Sequence, residues 1–193
     1  VGQGVLLDDG EAVKWFRKAA EAGDAQAQYY LGLMHVRGRG VAQDVNEALG
    51  PFRAAAEAND PMAQNELGWR YENGQGVAAD LAEAVKWYRK AADQGYATAQ
   101  HNLGVLYANG RGLPKDPSEA IKWYRKAADQ GSAISQNEIG FMYDQGVGVE
   151  KSADQALEWF RKAAEQGLDV AQQNLGILYT KERGTASPDF VEA

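Results

Sequence analysis

Apolar residues recur along this chain at spacings of three and four, the period of an amphipathic helix, in stretches of about a dozen residues separated by glycine-rich breaks. Ala12, Phe16, Ala19 and Ala20 form one such stripe, and Ala27, Leu31, Met34 and His35 form the next. The stripes then repeat. EAVKWFRKAAEAG at 11–23 returns as EALGPFRAAAEAN at 47–59, EAVKWYRKAADQG at 83–95, EAIKWYRKAADQG at 119–131 and QALEWFRKAAEQG at 155–167, each time 36 residues further on. A second segment recurs in step, as AQYYLGLMH, AQNELGWRY, AQHNLGVLY, SQNEIGFMY and AQQNLGILY, starting at 27, 63, 99, 135 and 171. We name the LG segment helix A and the WYRKAA segment helix B. One such pair cannot bury its own apolar faces, but a stack of pairs can.

The ends of the helices are written in the sequence. Asp80…Glu83, Asp116…Glu119 and Asp44…Glu47 have capping-box spacing, and Asp8…Glu11 and Ser152…Gln155 match it. Pro117 follows Asp116 at the first helical position, where a missing N–H costs nothing. Gly23, Gly95, Gly131 and Gly167, with Asn59 in the second copy, are suited to the left-handed residue that closes helix B. Gly32, Gly68, Gly104, Gly140 and Gly176 fall inside helix A. Glycine costs about 0.5–1 kcal/mol there relative to alanine, so its recurrence calls for close approach of helix B. Pro51, beside Gly50, falls well inside the second helix B and predicts a kink or a local loss of helix.

These elements together, A-x-x-x-L-G-x-x-Y, a G-x-G-V loop, an Asp cap and E-A-x-x-W-Y-x-K-A-A-x-x-G, resemble the Sel1-like repeat, a relative of the tetratricopeptide repeat. The resemblance implies an all-α, right-handed α-solenoid superhelix of antiparallel helix pairs, with helix A on the concave side. It also implies work as a scaffold or adaptor, often in bacteria. The copies depart from the pattern at His35 in place of Tyr, at Gly50 and Pro51, and at Glu182 where the last loop would have its first glycine.

The register predicts an orphan helix B at 8–23, pairs at 24–59, 60–95, 96–131 and 132–167, an orphan helix A at 168–181 and a partial repeat at 182–193. Gly2, Gln3, Gly4 and Val5 match the loop at 38–41, and Phe190 begins what reads as another helix B, so a piece of a longer array is expected. Apolar faces left open at the outer helices would fray, or support self-association.

A formal charge of −7 argues against nucleic acid, which needs clustered Lys and Arg. No apolar run reaches membrane length, so membrane insertion is not expected. The compartment, bacterial cytoplasm or periplasm, stays open. With no cysteine there is no thiolate site, and His35 and His101 share no carboxylate motif, so neither metal nor cofactor is expected. The loop glycines lack a following Gly-Lys-Ser/Thr and read as turns. Trp15, Trp87, Trp123 and Trp159 read as packing between repeats. The row Arg17, Arg53, Arg89, Arg125 and Arg161 reads as solvated arginines paired with nearby Glu and Asp, or as a basic stripe.

Structural rows keep their residue type between copies, whereas three rows of helix A vary: Tyr29, Asn65, His101, Asn137, Gln173; Leu33, Trp69, Val105, Phe141, Ile177; and Val36, Glu72, Ala108, Asp144, Thr180. Variation on a fixed frame is what a ligand-reading surface shows. The expected site takes a protein or peptide, with Trp69 and Phe141 as anchors. Asn65, His101 and Asn137 would give hydrogen bonds, and Glu72 and Asp144 would favour a basic segment. No catalytic residue is nominated: Ser-x-x-Lys and Gly-x-Ser-x-Gly are absent. The alternatives are a structural spacer, or an enzyme or enzyme-associated domain, since the resemblance extends to cysteine-rich relatives linked to β-lactamase-like activity.

Overall fold

A computed structural model describes residues 8–185, with side chains described through residue 180. These residues form ten helices and no strand: α1 (Asp9–Glu21), α2 (Ala25–Arg37), α3 (Leu49–Glu57), α4 (Pro61–Asn73), α5 (Leu81–Asp93), α6 (Ala97–Asn109), α7 (Pro117–Asp129), α8 (Ala133–Gln145), α9 (Ala153–Glu165) and α10 (Asp169–Thr185). The chain divides into two compact units, the boundary falling after Ala99 inside α6. Within each unit, helices consecutive in sequence pack on one another. Three-residue corners join each helix B to the next helix A, so packed neighbours run antiparallel, and the fold is an α-solenoid of helix pairs.

Those corners follow from a local rule. At the end of α1, the Gly23 N–H donates to the Ala20 carbonyl and the Asp24 N–H to the Ala19 carbonyl, which is a Schellman closure. The same two bonds recur at Asn59 and Asp60, Gly95 and Tyr96, Gly131 and Ser132, and Gly167 and Leu168. It requires a left-handed residue, and Gly23 (φ 89°) and Asn59 (φ 71°) supply it. The residue that finishes one helix also starts the next. Asp24, Asp60 and Ser132 accept from the N–H groups of Ala27, Ala63 and Ser135, so no further loop residue is needed.

The longer corner, from A to B, is tied back to helix A. The N–H groups of Asp44, Asp80, Asp116 and Ser152 donate to the carbonyls of His35, Tyr71, Tyr107 and Tyr143. The expected side-chain caps form at Asp8, Asp80, Asp116 and Ser152. The carboxylates of Glu11, Glu83 and Glu119 turn outward to Lys14, Lys86 and Lys122.

The second helix B departs from the others. Asp44 accepts from Asn46 and Glu47, yet the segment 45–48 is only a turn, and α3 begins at Leu49. The helix is nine residues long where its counterparts have thirteen. The first turn is lost, as Pro51 predicts, and Pro51 thereby comes to lie third in a helix rather than well inside one. There its missing N–H has no intrahelical acceptor to lose. The amide hydrogens of Leu49 and Gly50, at the start of α3, are expected to exchange faster than those of Val85 and Lys86 inside α5. Equal protection by hydrogen-exchange mass spectrometry would contradict this.

The helix-A glycines lie against helix-B rings. A Cβ on Gly32, Gly68, Gly104 or Gly140 would stand 2.7, 2.6, 2.6 or 2.7 Å from the ring of Phe52, Tyr88, Tyr124 or Phe160. Among the described residues, nothing lies within 4 Å of a Cβ on Gly176. Trp87 packs on the cluster around Phe52 and Leu67, and Trp159 on the cluster around Tyr124 and Ile139; each cluster is built from the tryptophan's own repeat and the preceding one. Trp15, on α1, is 64 % exposed. Lys18, Lys90, Lys126 and Lys162 each lie over the tryptophan three residues earlier. Two members of the arginine row, Arg125 and Arg161, donate to the hydroxyls of Tyr143 and Tyr179, and Arg161 also feels the charge of Glu165.

The last helix also differs from expectation. Gly38, Gly74 and Gly146 stop α2, α4 and α8 in the left-handed conformation. Glu182 takes that place in the final copy, and α10 runs on to Thr185 instead of ending at 181. The loop at residues 2–5 and the partial repeat from 186 onward lie outside the described residues.

Candidate functional site

In the first unit Asn65, Trp69 and Glu72 stand on one face of α4, at helical spacings of four and three. Trp69 is 44 % exposed although Leu67, Gly68 and Arg70 around it are buried. Asn65 is half-buried, as is Glu72, whose carboxylate accepts from the Tyr88 hydroxyl at 2.7 Å. The acid is thereby held near the tryptophan by helix B of its own pair.

In the second unit Phe141 is 49 % exposed on α8, one turn from Asn137 and nearly one turn before Asp144. Phe141 lines a cleft of about 450 Å³ together with His101, Val105, Tyr124, Glu138 and Met142. His101 packs at 5.5 Å from the Tyr124 ring, and its Nδ1 lies 3.0 Å from Ser135 Oγ. Burial holds the His101 imidazole below its usual pKa, so it is neutral at pH 7. Burial likewise pushes the Tyr124 hydroxyl and the Glu138 carboxyl up. Phe141 and Asp144 also border a smaller cavity of about 190 Å³, with Asn174 and Ile177. Asp144 is half-buried and accepts from Gln145 at 2.6 Å.

Asn137 does not stand with these side chains. It is buried, its Oδ1 accepts from Asn174 at 2.9 Å, and its side chain also hydrogen-bonds Glu138. Both polar ends are used inside the protein, so the ligand contact expected of it from its variable row does not stand.

Two features escape sequence reasoning. Gln28, Gln64, Gln136 and Gln172 reach back to carbonyls of Ala20, Ala56, Ala128 and Ala164. Those bonds cross from one pair to the next, and Gln94, Gln130 and Gln166 then donate to Gln64, Gln100 and Gln136, tying helix B to helix A within each pair. The signal was an unvarying Gln in every helix A. Arg70 is the other. It stands where the neighbouring copies have Met34, Leu106, Met142 and Leu178, and it is 1 % exposed. It pairs with Glu66 at 3.0 Å, and its guanidinium lies 4.7 Å over the Phe52 ring.

The chain belongs to the Sel1 repeat family, whose repeat matches residues 1–24, 25–60, 61–96, 97–132, 133–168 and 169–193. It is similar to the crystal structure of a Sel1 repeat protein from Oxalobacter formigenes, with 41% identity and a TM-score of 0.88, over 98% of this chain and 77% of that one. It is also similar to c5321, a protective antigen of uropathogenic Escherichia coli with an SLR fold. The identity is 39% and the TM-score 0.87, over 97% of this chain but 40% of that one. Helicobacter pylori cysteine rich protein B is similar at 27% identity and a TM-score of 0.54, over 69% of this chain and 97% of that one. A comparison with curated proteins gives no match. Sel1 repeat proteins are generally protein-interaction scaffolds, and the fold is typically non-catalytic. Among the described residues no helix is long and apolar enough to cross a membrane.

Proposed function

We propose that this chain binds a protein or peptide segment on the variable face of its A helices. The observation that carries the reading is the exposure of Trp69 and Phe141, large apolar side chains on helices whose adjacent residues are buried. An exposed ring beside a held carboxylate, as at Trp69 and Glu72, suits a ligand segment with both apolar and basic residues. His101 and Asn65, on the neighbouring variable row, supply hydrogen-bonding groups, and no cofactor or metal enters the reading.

Catalysis is the second reading, and the cleft that holds His101, Tyr124 and Glu138 is what favours it. The Ser135 hydroxyl beside His101 is fully buried, so this pair cannot present a nucleophile to a substrate. The binding reading therefore stands ahead.

Trp69→Ala should weaken binding by about 2 kcal/mol or more, with an unchanged helical circular dichroism spectrum. Arg89→Ala, on helix B, should have a much smaller effect. Titration of both variants against a partner captured with the wild-type chain decides the matter. Loss of binding with Arg89→Ala and not with Trp69→Ala would reject the helix-A face.

A further inference from the structure

Arg70 has three partners inside the first unit: the Glu66 carboxylate at 3.0 Å, the Gln75 carbonyl at 3.4 Å and the Phe52 ring beneath its guanidinium. Two repeats on, 72 residues later, the register replaces these four residues by Met142, Glu138, Val147 and Tyr124. The carboxylate, the loop residue and the ring are kept, while the cation is gone. A methionine side chain ends where the guanidinium of an arginine would begin. Glu138, Val147 and Tyr124 all line the cleft of about 450 Å³, with Met142 in its wall. The second unit thus has the surroundings of a buried arginine without the arginine.

The electrostatics of the cleft point the same way. Glu138 is half-buried, and among the described residues no cation pairs with it. Its hydrogen-bond partner is the neutral amide of Asn137, and burial raises its pKa, as expected of a carboxylate short of a counter-charge. His101 is kept neutral by burial and adds no opposing charge. Lys115 borders the same cleft but is exposed and makes no ion pair with Glu138.

We propose that this cleft receives the guanidinium of an arginine side chain from a protein ligand, in the manner in which the first unit holds its own Arg70. A planar fork can meet the carboxylate and the Val147 carbonyl together while stacking on the Tyr124 ring, which a lysine ammonium cannot do equally well. Phe141, exposed at the same cleft, would cover the aliphatic stem. That the arginine belongs to a protein rests on the reading of the helix-A face as a binding surface. That the cleft takes a guanidinium does not.

The test is an amide NMR titration of the chain with N-acetylarginine methylamide, alongside the corresponding lysine and citrulline derivatives. The arginine derivative should give saturable shifts at Tyr124, Glu138 and Val147. The neutral citrulline isostere should give none, and the lysine derivative should bind more weakly. E138Q should weaken arginine binding at least about tenfold, because it removes the charge and keeps the shape. M142R should abolish binding by filling the cleft from within, and should raise the unfolding temperature, a gain absent from M142R/E138Q. Absent shifts, equal binding of citrulline or lysine, or shifts indifferent to E138Q would overturn the assignment. Should M142R fail to fold, the E138Q comparison decides alone. The Trp69→Ala titration judges the scaffold reading separately. Guanidinium binding without any captured partner would leave the cleft standing and reject its protein source.

Discussion

Gly68→Ala is expected to lower the unfolding temperature, and Gly176→Ala to raise it, although both place the same methyl group at the same position of helix A. Alanine in a helix interior gains about 0.5–1 kcal/mol over glycine. At Gly68 the new Cβ would stand 2.6 Å from the ring of Tyr88, which is fully buried and tied through its hydroxyl to Glu72. The ring cannot move without breaking that hydrogen bond or opening the core. Overpacking of this kind costs about 1–3 kcal/mol, which outweighs the gain. At Gly176 no described residue lies within 4 Å of the new Cβ, so the gain in helix propensity stands unopposed. Thermal unfolding of the two variants checks the pair. A drop in both, or a rise in both, would show that close approach of helix B is not why the glycine recurs.

A larger loss is expected at Arg70. Truncation to alanine removes the packing over Phe52 and leaves the Glu66 carboxylate, 21 % exposed, without its cation. Breaking a buried pair from one side costs about 3–5 kcal/mol. Arg70→Met places there the residue found at 34 and 142, which supplies apolar volume but still strands Glu66. Adding Glu66→Gln removes the stranded charge, so Arg70→Met/Glu66→Gln should return to within about 1.5 kcal/mol of the wild type. Urea midpoints for the three variants test this order. If Arg70→Ala is as stable as the wild type, the pair contributes nothing and the comparison with the Glu138 cleft loses its basis.

Both predictions turn on the same distinction between rows that hold their residue type and rows that do not. Recurrent glycine was readable as a packing requirement, because a helix tolerates a costly residue only for a tertiary reason. The same logic applied to the varying rows picked out Trp69 and Phe141, which are exposed, but also Asn137, which is buried. Variation marks a position free of the repeat's common constraint. It does not say whether the individual copy has found a private partner, as Asn137 has in Asn174. Arg70 is the converse case. It puts a charge in an otherwise apolar row, and its burial against Glu66 and the Phe52 ring is visible only in the structure.

The sequence by itself determined most of the helices, their caps and the short corners from helix B to helix A; the start of α3 and the end of α10 are the exceptions. Each of these depends on residues within one or two turns of one another: a Schellman closure needs a left-handed residue after a run of alanines, and a cap needs an oxygen three residues before the N–H it accepts from. The tertiary structure alone decided where a charge is satisfied and where it is not. The cleft at Glu138 is bounded by side chains from α6, α7 and α8, with Met142 in its wall. No spacing along the chain records such a void, because it arises from the meeting of three helices, each of which is locally ordinary.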